Sequence, residues 1–289
     1  MIIQKNIALK SFTTIRIGGN SNKIYFPESL KDISRLKKIL LLPKTLVIGK
    51  GSNIAFSDNG YKSDIISLSK YHNRHISIID NKYISVSASI SCARLAKFCH
   101  KNSIAGFEFL HGIPGTIGGA LAMNAGAFKQ SIWNSVDSVN VVNSIGDITN
   151  ISYKKVKTSY RSVDKNNILL FLDALLVINK RKVFDVNLLK EYSKHRSITQ
   201  PIRQWSSGCI FKNPSKNTPA SSLIDSLDIQ KRKIGGIYIS KKHCNYFIND
   251  GSGSCKDLIQ LIKYVSKLIK NKYNISLTRE ICIYSNSNE

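Results

Sequence analysis

The chain has 289 residues, 42% of them hydrophobic, and a formal charge of +25. The length sets an expectation of roughly two domains of about 100–200 residues each. The apolar share is enough for a sizeable core, which excludes disorder as the main description. The charge fits an anionic partner such as nucleic acid, a membrane surface or a phosphate-bearing small molecule. It fits equally a diffuse lysine bias, because the lysines are scattered among isoleucines and asparagines without a block of like charge.

The opening "MIIQKNIALKSFTTIRIGGN" lacks the apolar core of a signal peptide. "ESLKDISRLKKIL" predicts a helix through Leu30, Ile33, Leu36 and Leu40. In "VIGKGSNIAFSD" (47–58) a strand end runs into Gly49, Gly51, Ser52 and Asn53. It begins like a dinucleotide fingerprint, but Ile54 stands where the third glycine belongs and no helix follows, so a Rossmann reading fails. "KYISVSASI" alternates Ile84, Val86, Ala88 and Ile90 against serines, as a half-buried strand does. In "CARLAKFC" the residues Cys92, Leu95, Ala96 and Cys99 share one helical face, which makes these cysteines core.

"GFEFLHGIPGTIGGALAMNAGAF" (106–128) carries six of the chain's 17 glycines in 23 residues. Gly112, Gly115, Gly118 and Gly119 recur in short steps, with Pro114 stiffening the turn. Bare N–H groups there suit a phosphate, above all where a helix starts; a tight turn with no ligand has the same composition. "SVNVVNSIGDITNIS" (138–152) reads as a hairpin about Gly146-Asp147. In "SYRS", Arg161 reads alone as a surface cation. The apolar run at 168–178 is too short for a membrane span and is interrupted by Asp173.

A domain boundary is expected near 180–200. "SSGCIFKNP" (206–214) sets a thiol, a lysine and an asparagine close together: Cys209 is either a core residue or a proton donor or nucleophile. In "HCN", His243 and Cys244 are neighbours on a strand and therefore face opposite ways. "KDLIQLIKYVSKLIKNKY" predicts the longest helix, with Ser254 as N-cap, Asp257 three residues on, and Leu258, Ile262, Val265 and Ile269 on the apolar face. Glu280 in "SLTREICIYSN" is either a solvated strand-end carboxylate or a buried one that keeps its proton for donation. Cys92, Cys99, Cys209, Cys244, Cys255 and Cys282 show no CxxC and no zinc spacing, so no metal is expected. The expectation is a reduced, cytoplasmic, soluble α+β protein without a regular βαβ rhythm.

In their order, "SFTTIRIGG", "GKGSN", "GFEFLHGIPGTIGGALAMNAGAF", "YRS", "SSGCIFKNP", "HCNYFIND" and "REICIYS" resemble the UDP-N-acetylenolpyruvoylglucosamine reductase family, in its shorter form, from about residue 10 to 284. The resemblance implies a two-part FAD-binding region of the vanillyl-alcohol-oxidase (PCMH) type, over 1–72 and 73–185, and a C-terminal α+β substrate-binding domain over 186–289. It implies FAD as cofactor and NADPH as co-substrate. NADPH gives hydride to the flavin, and the reduced flavin passes it to the β-carbon of UDP-N-acetylglucosamine enolpyruvate. Protonation at the α-carbon then gives UDP-N-acetylmuramate for peptidoglycan. The cofactor would lie against Gly49, Gly51, Ser52, Asn53, Gly112, Pro114, Gly115, Thr116, Gly118, Gly119, Asn124 and Gly126, the glycines bare so that it can rest on backbone amides.

By motif position Arg161 pairs with the substrate carboxylate, Glu280 stabilises the enolate as a neutral donor, and Cys209 protonates the α-carbon. Most members of the family carry serine at that place; a thiol is the stronger acid, so the chemistry should survive the exchange. Lys212, Asn213 and Asn245 would hold the UDP diphosphate and sugar, with Arg203 and His243 as weaker candidates. Lys50 and the stretch 220–236 depart from the usual pattern without touching this chemistry. The partners are small molecules, with no nucleic acid and no membrane, and the enzyme is expected as a monomer. Two rivals stay open: a flavin oxidoreductase of the same fold with another substrate, and a basic nucleic-acid binder, which needs clustered cations with interleaved aromatics that the chain does not offer.

Overall fold

The computed structural model describes residues 1–73 and 75–286. The chain divides into two compact units. One contains Met1–Gln4, Ile24–Lys50 and Asp64–His195; the other contains Lys5–Lys23, Gly51–Ser63 and the chain from Arg196 onward. This cut differs from a division at 72 and 185 because two early segments pack with the C-terminal part. Ile15, Ile17 and Ala55 share an apolar core with Ile210, Phe247 and Leu258, and Ile54–Phe56 pairs in parallel with Cys282–Tyr284.

The first unit is built on an antiparallel five-stranded sheet ordered Ile148–Ser152, Val136–Val142, Leu170–Val177, Tyr83–Ser87 and Ile76–Ile79. The expected hairpin forms at Gly146, whose φ of 83° suits glycine. The interrupted apolar run is the sheet's middle strand. Asp173 within it bonds to Asn140 at 2.7 Å, and burial pushes its carboxyl upward. A second sheet is ordered Ile2–Lys5, Lys23–Phe26, Ile65–Ser67 and Leu46–Ile48, the last three parallel.

Helices α1 (Leu30–Arg35) and α2 (Lys37–Leu40) stand where one helix is expected, because Leu36 departs from helical geometry with ψ of 2°. Helix α3 (Cys92–Lys101) buries Cys92, Leu95, Ala96 and Cys99, as its spacing demands. Burial pushes the Cys92 thiol up to about 12. Helix α4 (Ile117–Met123) follows the glycine turn, and the unit boundary falls within α5 (Leu188–Thr199).

The second unit packs α6 (Ala220–Asp225) and α7 (Cys255–Tyr273) with an antiparallel sheet of Lys233–Ile234, Ile237–Ile239 and Phe247–Asn249. Helix α7 starts at the expected capping box of Ser254 and Asp257. Asp58 adds a second grip, its oxygens accepting from Cys255 N–H at 2.8 Å and Lys256 N–H at 3.0 Å. Carboxylates at a helix N-terminus are favoured by the orphan donors and the macrodipole. Leu258, Leu261, Val265 and Ile269 are fully buried, each worth about 2 kcal/mol of transfer free energy; Leu261→Ala would cost about 2–5 kcal/mol. His243 and Cys244 lie in a turn closed by Tyr246 N–H to His243 C=O at 2.9 Å, not on a strand, and the Cys244 thiol donates to Asp225 at 3.2 Å. Among the described residues no helix is long and apolar enough to cross a membrane.

Candidate active site

In the first unit the two glycine loops meet. A Cβ added to Gly49 would lie 2.6 Å from Thr116 Oγ1, so only glycine allows this approach. Thr116 is the N-cap of α4, its hydroxyl accepting from Gly119 N–H. The turn is pinned from behind: Cys92 N–H bonds to Gly115 C=O, Ile117 N–H to Ile90 C=O, and Gly118 N–H to Ala88 C=O. The expectation that bare N–H groups at Gly118 and Gly119 face a ligand therefore does not hold. Those donors are consumed internally, and Gly118 is bare because a Cβ would come 3.0 Å from Ala88 Cβ. The N–H groups of Gly115 and Thr116 have no acceptor among the described residues.

The glycine segment also carries Arg161. Asn124 closes α4 in the left-handed region, φ 45°, and its Nδ2 donates to Ser159 C=O at 2.8 Å. Its Oδ1 is buried with no partner among the described residues. The short hairpin of Thr158–Ser159 and Ser162–Val163 turns at Tyr160-Arg161, where Arg161 has φ 53°. That conformation costs a non-glycine residue about 1 kcal/mol. One guanidinium nitrogen donates to Gly126 C=O at 2.8 Å. Strain and tether together aim a cation from a turn that Gly126 and Asn124 hold in place. Nearby, the hairpin of Gly126–Ala127 with Gln130–Ser131 puts Phe128 and Lys129 at positive φ, and Tyr192 of α5 stacks on Phe128 at 3.7 Å. Sequence gave no sign of that stack, since 64 positions separate the rings.

The chain passes from the first unit to the second between Lys50 and Gly51. Gly51 has φ 63°, and a Cβ there would fall 1.8 Å from Phe12 C=O. The N–H groups of Lys50, Gly51, Ser52 and Asn53 have no acceptor among the described residues. Gly51 is buried, and buried donors without acceptors are rare in folded proteins. A run of consecutive open amides is the local chemistry that receives phosphate oxygens.

In the second unit one extended segment gathers the remaining candidates. Gly208, at φ 78°, has open space where a Cβ would stand and turns the chain into half-buried Cys209. Ile210 N–H donates to Asn245 C=O at 2.8 Å, while Ile210 C=O accepts from Glu280 N–H at 2.8 Å. Lys212 N–H bonds to Thr278 C=O at 2.9 Å. The extended segment of Cys209 and Lys212 thus lies beside that of half-buried Glu280, though the two segments are far apart in sequence. Asn245 is buried, and its side-chain amide is engaged at both ends by Phe211, accepting at 2.9 Å and donating at 2.8 Å. It builds the segment and does not face a ligand. Asn213 is exposed and its Oδ1 accepts from Ala220 N–H at the start of α6.

His243 is half-buried beside Tyr246, and its partial burial, aided by Arg196, holds its imidazole below the usual range. Arg203 is exposed and lines a cleft with Gln200, Gln204 and Lys242. Motif reading missed Ser207, buried two residues before Cys209, whose Oγ has no partner among the described residues.

Two family models match the chain. One, for an FAD binding domain, covers residues 23–152; the other, for the C-terminal domain of UDP-N-acetylenolpyruvoylglucosamine reductase, covers residues 200–284. Curated relatives named UDP-N-acetylenolpyruvoylglucosamine reductase include one from Rickettsia massiliae, 36% identical over 96% of this chain and 94% of the relative. Others come from Orientia tsutsugamushi, 35% identical over 97% and 93%, and Nitrosococcus oceani, 33% identical over 96% and 94%. Among solved structures, that of UDP-N-acetylenolpyruvylglucosamine reductase from Thermus caldophilus has a TM-score of 0.82 at 23% identity, covering 98% of this chain and 99% of that one.

Proposed function

The chain belongs to the UDP-N-acetylenolpyruvoylglucosamine reductase family, and on that premise we propose that it reduces the enolpyruvyl group of UDP-N-acetylglucosamine enolpyruvate to give UDP-N-acetylmuramate, with FAD as cofactor and NADPH as co-substrate. The residues present fit FAD: open amides run from Lys50 to Asn53, Gly115 and Thr116 add two more, and Asn124 leaves a buried oxygen without a partner. In the first unit the N–H groups of Lys50, Gly115 and Thr116 would serve cofactor phosphate oxygens, with Gly49, Gly112, Pro114, Gly118, Gly119, Asn124 and Gly126 as further cofactor-binding candidates; in the second unit those of Gly51, Ser52 and Asn53 would do the same. Bound FAD would supply a hydride relay from NADPH to the β-carbon of the substrate.

The protein's own task is the second half of the addition. Hydride at the β-carbon leaves a carbanion at the α-carbon, delocalised into the carboxylate as an enolate of higher charge. Arg161 pairs with that carboxylate, a guanidinium matching two oxygens at once. Glu280 interacts with the developing enolate oxygen. Cys209 delivers the proton to the α-carbon and is reprotonated from solvent, for which its half-buried position gives access. Lys212 binds a phosphate of the UDP moiety, Asn213 contributes through its exposed amide, and Asn245 acts by fixing Phe211. The three functional parts 1–72, 73–185 and 186–289, a cytoplasmic site of action and a monomeric state belong to the same proposal.

The observation that carries the reading is the hydrogen bonding of Ile210, which sets the thiol's extended segment between Asn245 and Glu280. The test is NADPH oxidation by FAD-loaded protein with and without the enolpyruvyl substrate. Stoichiometric UDP-N-acetylmuramate is expected; a colourless protein, or flavin turnover indifferent to that substrate, overturns the proposal.

A further inference from the structure

Glu280 is fixed through its backbone from two sides. Its N–H donates to Ile210 C=O at 2.8 Å, on the extended segment that carries Cys209. Its C=O accepts from Asn53 Nδ2 at 3.1 Å, across 227 positions of sequence. Asn53 C=O in turn accepts from Cys282 N–H at 3.0 Å. Asn53 therefore grips the chain on both sides of Ile281, which is buried. The next residues continue the contact as a parallel pair, with Ile54 opposite Cys282 and Phe56 opposite Tyr284.

From this we propose that the Asn53 side chain is a positioning residue for Glu280, and not a direct ligand of the cofactor. The inference rests on the reading of Glu280 given above. Asn53 divides its polar groups between two tasks. Its N–H stays open with those of Gly51 and Ser52 for an anion, while Nδ2 and C=O face the chain around Glu280. A ligand seated on the loop's amides thereby stiffens the support of the carboxyl group. Asparagine is suited to this because its Nδ2 donates to a carbonyl from a short side chain; aspartate would set an acceptor against an acceptor. The two bonds also fix the register of a strand three residues long, too short to fix itself.

The test uses Asn53→Leu, which keeps volume and removes the donor, beside Glu280→Gln and the double variant. In FAD-loaded protein, Asn53→Leu is expected to slow reduction of the enolpyruvyl substrate by pre-reduced enzyme roughly tenfold more than it slows flavin reduction by NADPH, as loss of orientation at one reacting group does. In the Glu280→Gln background the same change should add less than about twofold, because residues acting through one group are not additive. In apo protein, hydrogen exchange at the Glu280 and Cys282 amides should speed up in Asn53→Leu. Equal slowing of both half-reactions, or effects that multiply in the double variant, would overturn the proposal. So would unchanged exchange at both amides. A wild-type protein that fails to reduce the substrate sinks the functional reading alone, since the exchange measurement stands without it.

Discussion

Gly49→Ala offers a direct test of why the glycine loops are bare. The new methyl carbon would fall 2.6 Å from Thr116 Oγ1, about an ångström inside contact distance, with Thr116 Cβ and Cγ2 at 3.7 Å. Gly49 has no left-handed φ, so the penalty is steric alone. Relief requires Thr116 to rotate, and its β-branched χ1 is stiff. Rotation releases the bond from Gly119 N–H at 3.3 Å that caps α4. Losing a cap costs about 1 kcal/mol, and residual crowding adds about 1 kcal/mol. A total of about 2 kcal/mol corresponds to roughly 30-fold in the folding equilibrium. FAD affinity, read by flavin fluorescence, should fall at least about tenfold, because the open Thr116 amide moves with its side chain.

The companion variant is Thr116→Ala, which costs the cap but removes the obstructing oxygen. In that background Gly49→Ala should add less than about 0.5 kcal/mol in chemical denaturation, since the contact no longer exists. Full additivity of the two substitutions, or native FAD affinity in Gly49→Ala, would refute the steric argument.

Cys209→Ala should abolish overall turnover while NADPH-driven flavin reduction continues, and Cys209→Ser should restore part of it; stopped-flow absorbance at the flavin band separates the half-reactions. Arg161→Lys keeps a charge but loses the two-point geometry, so kcat/KM should fall about tenfold or more, with substrate binding measured by titration weakened alongside. The buried thiols set an alkaline limit. Cys92 and Cys244 are pushed up to about 12 and about 11, Cys92 mainly by burial and Cys244 by burial and then Asp225. The folded state then holds protons that the unfolded chain releases near pH 9, so their contribution is complete below pH 9 and is lost as pH rises through 11 to 12. Thermal melts from pH 8 to 11 should show a flatter decline in Cys92→Ala than in wild type. At pH 8 iodoacetamide should modify half-buried Cys209 before Cys92 or Cys244, and the enolpyruvyl substrate should protect it; mass spectrometry of the peptides decides.

Periodicity made much of the architecture legible. The α3 face, the hairpin at Gly146 and the capping box of α7 follow from local spacing, and each is local in physics as well. The break between α1 and α2 was hidden because the apolar positions Leu30, Ile33, Leu36 and Leu40 satisfy one helix as well as two. The way residues 5–23 and 51–63 join the C-terminal part was hidden too, since long-range pairing leaves no local pattern. At the site, motif order named Cys209, Arg161 and Glu280, but composition alone misassigned the reason for several glycines. Gly118 is bare for Ala88 and Gly49 for Thr116, both protein neighbours. A glycine-rich turn reports close approach without saying by what.

The same logic explains why the tie from Asn53 to Glu280 escaped a sequence reading that took Asn53 for a cofactor contact. Asparagine after a glycine turn looks like another loop residue, and its partner lies at the other end of the chain. The candidate groups all sit where regular structure fails: Arg161 at a left-handed turn, Cys209 after a left-handed glycine, Glu280 just ahead of a three-residue strand. Regular strands would alternate such side chains across two faces. Irregular segments can turn them as needed, at the cost of needing external bonds to stay fixed. Asn124 and Gly126 supply those bonds for Arg161, Asn245 for the segment of Cys209, and Asn53 for Glu280. Three asparagines thus do with side-chain amides what a sheet does with its ladder. Removing any one should loosen a single candidate group and leave the rest of its unit folded.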